Sequence, residues 1–503
     1  MRVGILPRAW ASVRSAKIVC ASYAAATFAW YCVWKFFLAE RSGDPAIFEN
    51  SLWNAAHGNG LQTALEGGFP HLAVHFSPIF LLFLPLYQLS PSLHLIHLTV
   101  CVATAVAGYW IYRLARLKLE QGTSFLVMLA FLLNPTVILQ TFMEFHEQAL
   151  GLLPLVLLVY AYAIYAQGRG SMLGILGAAL LLVSTREDNA LLLLALAAHA
   201  LLIQRRGRLG VALATLAIGW FGLYAWLARG MLGGGHLPGV FAGTYGIWGA
   251  TPGEAVRNIL QRPAAVIAHL ASGTPLRYMV QLLAPFLGLL ALADPIALVM
   301  LPQLAMILMA DPATRVYEIR LHYSIVPVTL LYASAIGTLA LLHTRGWRLP
   351  ARLGALPLAR VAAALMLVVS VGTVPMWLVR AVGRLNPDAA QVRALVSRVP
   401  AMASVTAPSY MLNEMARRPV LAFARGAQRP TTDYVILEDP RAIFFHGTTV
   451  EWLYSAAEER SLTASGYELV HRENGRYLWR LRPVPLATGV DAANASARPP
   501  SRQ

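Results

Sequence analysis

Charge is scarce in this sequence. Asp, Glu, Lys and Arg supply 13% of its 503 residues, against about 25% in an ordinary soluble domain, while 57% of the residues are hydrophobic. That balance excludes a soluble globular protein and marks a polytopic membrane protein, for which domain counting by length does not hold. Acid is scarcer than base: 24 Asp and Glu stand against 40 Lys and Arg, a formal charge of +16. Cysteine is nearly absent. Cys20, Cys32 and Cys101 all fall in apolar stretches, which gives neither a disulfide framework nor a metal-ligand spacing. There is no Walker loop, dinucleotide fingerprint or HExxH motif, and no GxSxG between a strand and a helix. No internal repeat is visible.

What the chain has instead is a series of apolar runs divided by short basic segments. Residues 1–17 carry Arg2, Arg8, Arg14 and Lys17, and the run Ile18 to Leu38 follows, interrupted only by Lys35. It reaches the roughly 20 residues a span needs and lacks a small-residue cleavage site, so it reads as a retained anchor. The positive-inside rule puts its basic flank in the cytoplasm. Residues 39–92 then form a first outer loop. Its segment His75 to Leu89 is short for a span and contains Pro78 and Pro85, and reads as half-embedded or re-entrant. Further spans are expected at 93–112, 124–142, 149–166, 173–184, 190–203, 211–227, 278–293, 295–310, 322–342 and 361–378, about eleven in all. A long glycine-rich outer loop is expected from Gly230 to Pro275.

In this layout Arg113, Arg116 and Lys118, then Arg169, then Arg205, Arg206 and Arg208, then Arg345, Arg348, Arg352 and Arg360 join the N-terminus inside, with Glu120 the lone acid. The excess positive charge is thus explained by topology and does not call for nucleic acid. The chain divides into a basic cytoplasmic N-terminus (1–17), a transmembrane domain (18–380), a small extracytoplasmic α/β domain (385–485) and a disordered tail (486–503). In the α/β domain, ASVTA, VLAFA, DYVILED, YELVHRE and RYLWRL read as strands, with SYMLNEMA and VEWLYSAAEER helical between them.

The polar stretch from Arg41 to Phe76 organises the outer side. From Pro45 it reads as an amphipathic helix with Ile47, Phe48, Leu52 and Ala55 on one stripe and Glu49 and Asn50 off it. Such a helix would lie along the membrane surface and hold Asp44 at its edge. The alternative is that Asp44 N-caps the helix, with Pro45 at the first helical position.

Four charged clusters reach the same outer face: Asp44 with Glu49; Glu144, His146 and Glu147; Arg186, Glu187 and Asp188; and Arg315, Glu318 and Arg320, with His75 and His322 beside them. Any one of them could simply end a span at the interface, but ionisable groups near hydrocarbon are costly and together they point to a cavity. Carboxylate beside histidine suits a general base, or a divalent cation such as Mg or Mn held by Asp44, His146 and Glu147. Arginines on the same cavity suit phosphate or pyrophosphate.

The series GDPAIFENSLWNAAHG, HFSPIFLLFLPLY, NPTVILQTFMEFHEQAL, STREDNALLLL and RLHYSIVPVTLL resembles the uncharacterised bacterial membrane proteins grouped as domain of unknown function 2079, over about residues 40 to 480. That family often carries a Lys-Glu-Asp or Arg-Glu-Asp triplet in a hairpin tip, matched here by Arg186, Glu187 and Asp188. The family is in turn similar in layout to integral-membrane glycosyltransferases of the GT-C type, which take a sugar from a polyprenyl-phosphate carrier outside the membrane. The resemblance implies a multi-pass protein of the bacterial inner membrane whose partners are the bilayer, a polyprenyl-phosphate-linked sugar and an envelope glycan, lipid or protein acceptor. It implies that Asp44 deprotonates the acceptor or binds metal, that Glu147 and His146 position the cation or the sugar, and that Arg186 and Arg320 hold the leaving phosphate. One departure is plain: the usual paired acid is missing, since Pro45 follows Asp44.

Two rival readings remain. A transporter or lipid-handling protein should place charges near the bilayer midplane and show repeated halves. An assembly or binding protein would work through the outer α/β domain.

Overall fold

The computed structural model describes residues 12–143, 145–232, 237–350, 356–424, 430–440 and 452–483. Glu144, Arg2, Arg8, Arg352 and the expected tail 486–503 lie outside the described residues. The chain divides into two compact units, Met1–Ala390 and Gln391–Gln503.

The first unit is helical. Helix α1 (Val13–Phe36) begins at Ser12, whose hydroxyl accepts the Ser15 N–H. Helix α2 (Asp44–Ala56) has Gly43 at its cap, so Asp44 is its first residue and makes no capping bond. The expected one-sided stripe on α2 is not what forms. Glu49 is 5% exposed and Asn50 fully buried, because the polar face carries the chain that follows. The Asn50 amide oxygen accepts the Ala64 N–H at 2.9 Å, Ser51 Oγ donates to the Leu61 carbonyl at 2.8 Å, and Asn54 Nδ2 donates to that of Gln62 at 3.0 Å. The loop closes through α3 (His71–Val74) and α4 (Phe80–Leu89). The 10 residues of α4 reach about 15 Å, half the ~30 Å hydrocarbon thickness.

Helix α5 (Leu93–Ala115) packs on α1 and α6 (Gln121–Leu132). The single span expected over 124–142 is a pair: α6 meets α7 (Pro135–Phe142) at a 52° bend. Asn134 causes it. A residue before proline avoids the helical region, and Asn134 sits at ψ 133° with its side chain capping the Thr136 N–H while Pro135 opens the new helix. A 3₁₀ turn, Glu147–Gly151, leads into α8 (Leu152–Ala166), followed by the hairpin α9 (Met172–Val183) and α10 (Asn189–Leu202), then α11 (Gly207–Leu232).

The expected glycine-rich loop contains helices α12 (Leu237–Tyr245), α13 (Pro252–Gln261) and α14 (Pro263–Leu270). The span expected over 278–293 is broken. Helix α15 (Gly273–Leu283) runs into 3₁₀ turns at Ala284–Phe286 and Gly288–Leu292, separated by Leu287 in a left-handed conformation. A further 3₁₀ turn, Pro295–Met300, precedes α16 (Leu301–Leu308). Helices α17 (Ile325–Thr344) and α18 (Leu358–Val382) complete the unit.

Among the described residues six helices are long and apolar enough to cross a membrane, or seven counting the bent pair as one span; four apolar helices are shorter. The stretch His322–Thr344 is the centre: 83% of its apolar window is buried, against 22% for α1, α11 and α18. Small residues let neighbours approach it closely. A Cβ on Gly337 would come within 2.1 Å of Asp294 Oδ2, and the Tyr332 hydroxyl donates to the Ala130 carbonyl at 2.7 Å.

The second unit holds a five-stranded sheet in the order β2-β1-β3-β5-β4. Strands β1 (Val405–Ala407), β2 (Leu421–Phe423) and β3 (Tyr434–Glu438) are parallel; β5 (Arg476–Leu481) runs antiparallel to β3 and to β4 (Tyr467–Glu473). Asn474 and Gly475, both at positive φ, make the two-residue turn of the last hairpin. Helix α19 (Ser409–Met415) follows β1, and α20 (Ala456–Ala464) starts later than the sequence suggested, because the Ser455 hydroxyl caps the Glu458 N–H.

Candidate functional site

The α9–α10 hairpin tip is fixed to the first outer loop by a set of hydrogen bonds. Ser77 Oγ donates to the Thr185 carbonyl at 2.9 Å and the Ile79 N–H to that of Ser184 at 3.0 Å. The Phe76 N–H donates to Glu187 Oε2 at 2.8 Å, and His75 Nδ1 lies 3.1 Å from Oε1. Burial alone would push the Glu187 carboxyl up, but His75 and Arg186 outweigh it and hold the group down at about 2. Burial does push Asp188 up, against the opposing charge of Arg186. Arg186 Nε stands 3.4 Å from Asp188 and 4.0 Å from Glu187, and its Nη1 3.8 Å from Glu147. The Gln148 amide oxygen, in the orientation that satisfies both partners, accepts from Arg186 Nη1 at 2.7 Å and Nε at 3.0 Å. A cavity of about 280 Å³ opens here, lined by His75, Arg186, Glu187, Asp188 and otherwise mostly apolar side chains.

A second cavity of about 330 Å³ shares Thr244, Val316, His322 and Tyr323 with the first. Asp44, His146, Arg315 and Arg320 line it. Helix α2 brings Asp44 there: one turn on, the Phe48 ring meets the His146 ring edge-on at 5.5 Å, as residues four apart share a helix face. The His146 ring stacks on that of His322 with centroids 3.3 Å apart, and its Nδ1 lies 2.9 Å from Glu147 Oε2. Glu147 is fully buried, and among the described residues neither of its carboxylate oxygens has a hydrogen-bond partner; its contacts are ionic.

Helix α7 carries the opposite wall. Thr136 Oγ1 donates to the Ile319 carbonyl at 2.8 Å and Gln140 Nε2 to that of Arg320 at 3.2 Å, which fixes the Arg320 backbone. Arg320 Nη2 pairs with Glu318, while its buried Nη1 has no hydrogen-bond partner among the described residues. Burial would raise the Glu318 carboxyl, but Arg320 and Arg315 hold it below the usual carboxylate range.

The sequence profile of the predicted membrane proteins grouped as DUF2079 matches residues 38–478. The chain belongs to that family. No curated protein matches this DUF2079 chain. Among solved structures, the crystal structure of ArnT from Cupriavidus metallidurans bound to undecaprenyl phosphate matches with a TM-score of 0.54 at 13% identity, over 93% of this chain and 98% of that one. At such identity the likeness is one of fold, and it agrees with the similarity of layout to the GT-C type.

Against that fold, the residues singled out in this DUF2079 chain separate. Asp44, His146, Arg315, Arg320 and His322 share one cavity; His75, Arg186, Glu187, Asp188 and again His322 share its neighbour. Glu147 joins the two groups from beneath, through His146 and Arg186. Glu49 is buried in α2 and lines neither cavity. Glu144 lies outside the described residues.

Three side chains were missed: Thr244, Tyr323 and Gln148. Tyr323 and Gln148 adjoin motif residues and were within reach of the sequence. Thr244 was not, since its helix α12 was read as loop; the Asp311 N–H bonding to its carbonyl at 2.8 Å holds it to the cavity. A divalent cation fits poorly. Among the described residues no group of three His, Cys, Asp or Glu side chains could hold a metal ion, and Arg315 and Arg320 line the same cavity as Asp44.

Proposed function

We propose that this protein is a GT-C-like glycosyltransferase that moves a sugar from a polyprenyl-phosphate donor to an acceptor on the outer side of a bacterial inner membrane. What supports the reading is one juxtaposition on a fold shared with a polyprenyl-phosphate-binding protein: Asp44, Arg315 and Arg320 line one cavity. Displacement of a sugar from phosphate needs both parts. A base must take the acceptor's hydroxyl proton, and cations must receive the charge that builds on the departing phosphate.

Asp44 takes the acceptor proton as its oxygen attacks the sugar's anomeric carbon and the bond to phosphate breaks. Arg320, whose Nη1 is buried without a partner, receives the phosphate. The stacked His146–His322 pair, backed by Glu147, forms the wall against which the sugar lies. Arg186 is surrounded by Glu147, Glu187 and Asp188, so it serves the hairpin tip more than the phosphate. The basic segments support an orientation with the N-terminus inside and the C-terminal unit outside; among the described residues six helices, or seven with the bent pair, are long and apolar enough to span.

The test follows sugar leaving a radiolabelled polyprenyl-phosphate pool in membranes. Asp44→Asn, which preserves shape and removes basicity, should slow transfer about 10²–10⁴-fold. Full turnover by that variant removes Asp44 from the chemistry, and no turnover by the wild type over a broad donor panel favours a transporter.

A further inference from the structure

Helices α13, α14 and α15 are turned the wrong way for an outer loop in water. On α13, Asn258 Nδ2 donates to the Trp248 carbonyl at 2.7 Å, and the Trp248 indole donates in turn to the Met309 carbonyl at 2.7 Å. On α14, His269 Nε2 lies 2.8 Å from the Leu308 carbonyl. On α15, the buried Tyr278 hydroxyl shares a 3.1 Å hydrogen bond with Ser324. These anchors fix which side of each helix meets the protein. A residue two positions away lies about 200° around the helix, nearly opposite. At those places stand Val256 and Leu260, Ile267, and Leu276 and Val280, each between 53% and 76% exposed.

A helix that covers a protein in water buries its apolar stripe and shows its polar one. Here the anchors point inward and the apolar side chains point outward. Spanning does not explain the inversion: helices of 10, 8 and 11 residues reach only about 12–17 Å of the ~30 Å hydrocarbon layer. What fits is a set of helices lying in the plane of the membrane interface with the apolar face down. The charges agree. Arg257, Arg262 and Arg277 are all exposed. Glu254 is the one acid between residues 246 and 283, and it accepts the Ala250 N–H at 3.0 Å. Arginine stems can lie along hydrocarbon while the charged heads rise to the headgroups, and a net positive edge favours anionic lipid.

We propose that residues 246–283 form a membrane-surface element. Its outward face is sunk into the leaflet on the side of the Asp44 cavity, and its arginines rest on the headgroups of anionic phospholipids. The partner is the bilayer surface and not a substrate, so the proposal goes beyond the transfer reading and holds whether or not the protein moves a sugar. The anchors end within residues 308–324, the chain that also brings Arg315, Arg320 and His322 to the cavities. The element therefore ties that chain to the bilayer surface.

The experiment reads depth on the full-length protein in nanodiscs. A bimane fluorophore is attached at one site at a time, in a Cys32→Ser background, since Cys20 and Cys101 are buried. Leu260→Cys and Ile267→Cys report the outward faces, and Gln261→Cys, exposed on the polar edge of α13, is the control. Phospholipid bearing a nitroxide just below its headgroup should quench the two outward labels severalfold more than aqueous iodide does. The control should show the reverse order. With the nitroxide carried on phosphatidylglycerol, quenching at Leu260→Cys should exceed that with phosphatidylcholine. That ratio should fall by up to about fivefold for each of Arg257→Gln and Arg262→Gln, the scale of one basic side chain at an anionic surface.

Iodide quenching of all three labels would place the segment in water and overturn the proposal. Quenching by neither agent, with a doubled mass on release from the disc, would overturn it in favour of a second copy of the chain. A lipid ratio unmoved by both arginine variants would overturn the anionic assignment. None of these readouts depends on turnover. A protein that transfers nothing but shows the expected quenching removes the enzyme and leaves the surface element standing.

Discussion

Glu187 shows how much one side chain can hold. Its two carboxylate oxygens are divided between the Phe76 N–H and His75, with Arg186 beside them. Glu187→Ala leaves the Phe76 N–H and the His75 ring without their acceptor, and breaking a buried pair costs about 3–5 kcal/mol. A fall in melting temperature in detergent, much larger than for Glu187→Gln, is the expected outcome, since the amide oxygen still accepts from Phe76. The pH dependence follows from the direction of the shift. A carboxyl held at about 2 when folded but near 4.3 when unfolded contributes stability that is fully present above the unfolded value. That stability is lost as pH falls from about 4 toward 2. Melting curves of the wild type should therefore drop over that window more than those of Glu187→Gln. The metal question also belongs at this scale. With Arg315 and Arg320 lining the same cavity as Asp44, transfer should survive EDTA; loss of activity restored by added Mg would mean a ligand from outside the described residues.

At the scale of the element, the bend between α6 and α7 decides where the second cavity sits. It points Leu139, Gln140 and Met143 at the Arg320 segment. Asn134→Ala removes the cap of α7 and should cost about 1 kcal/mol, visible as a lower melting temperature. Because Gln140 holds Arg320, the same variant should raise KM for the lipid donor more than it lowers kcat. An unchanged KM would mean that the cap is only structural. The first outer loop carries its own switch. Burial disfavours a charged His71, but Glu66, with oxygens at 3.0 and 3.2 Å from Nδ1, more than offsets it and raises the imidazole. A raised folded value means the contact's stability is fully present below about 6.5 and is lost as pH rises through the folded value. Exchange protection at residues 61–71, with the intrinsic pH dependence of amide exchange divided out, should fall as pH rises above about 6.5, and His71→Gln should abolish that fall.

At the scale of the whole molecule, orientation is the open prediction. Cysteines placed at Asn59 and Ala464, both exposed, should react with an impermeant thiol reagent in intact spheroplasts; labelling only after lysis would invert the layout. The membrane class was legible from composition, and the motif clusters were legible as clusters. Their division between two adjoining cavities was not, because a basic segment restricts which side a polar cluster can reach and not which neighbours it meets there. What escaped was the local break. Asn134-Pro135 sits inside an unbroken apolar run, and Leu287 adopts a left-handed conformation that no periodicity reveals. Glu49 was placed off the apolar stripe and in the outer-face cluster, yet it is buried, because helical spacing reports one helix's faces and not the chain that returns to cover them.

The ties between the first outer loop and the hairpin tip also bear on how the chain is made. His75 and Phe76 find their acceptor on Glu187, 112 and 111 residues later, so the loop emerges from the ribosome with its anchor unwritten. Helices α5 through α9 must all be inserted while that loop waits unsecured on the far side. A nascent chain stalled before residue 184 should therefore present the loop to added protease, and one stalled after the hairpin has emerged should protect it. Membrane insertion and tertiary closure are in this way separated in time, with the loop the last part of the N-terminal half to settle.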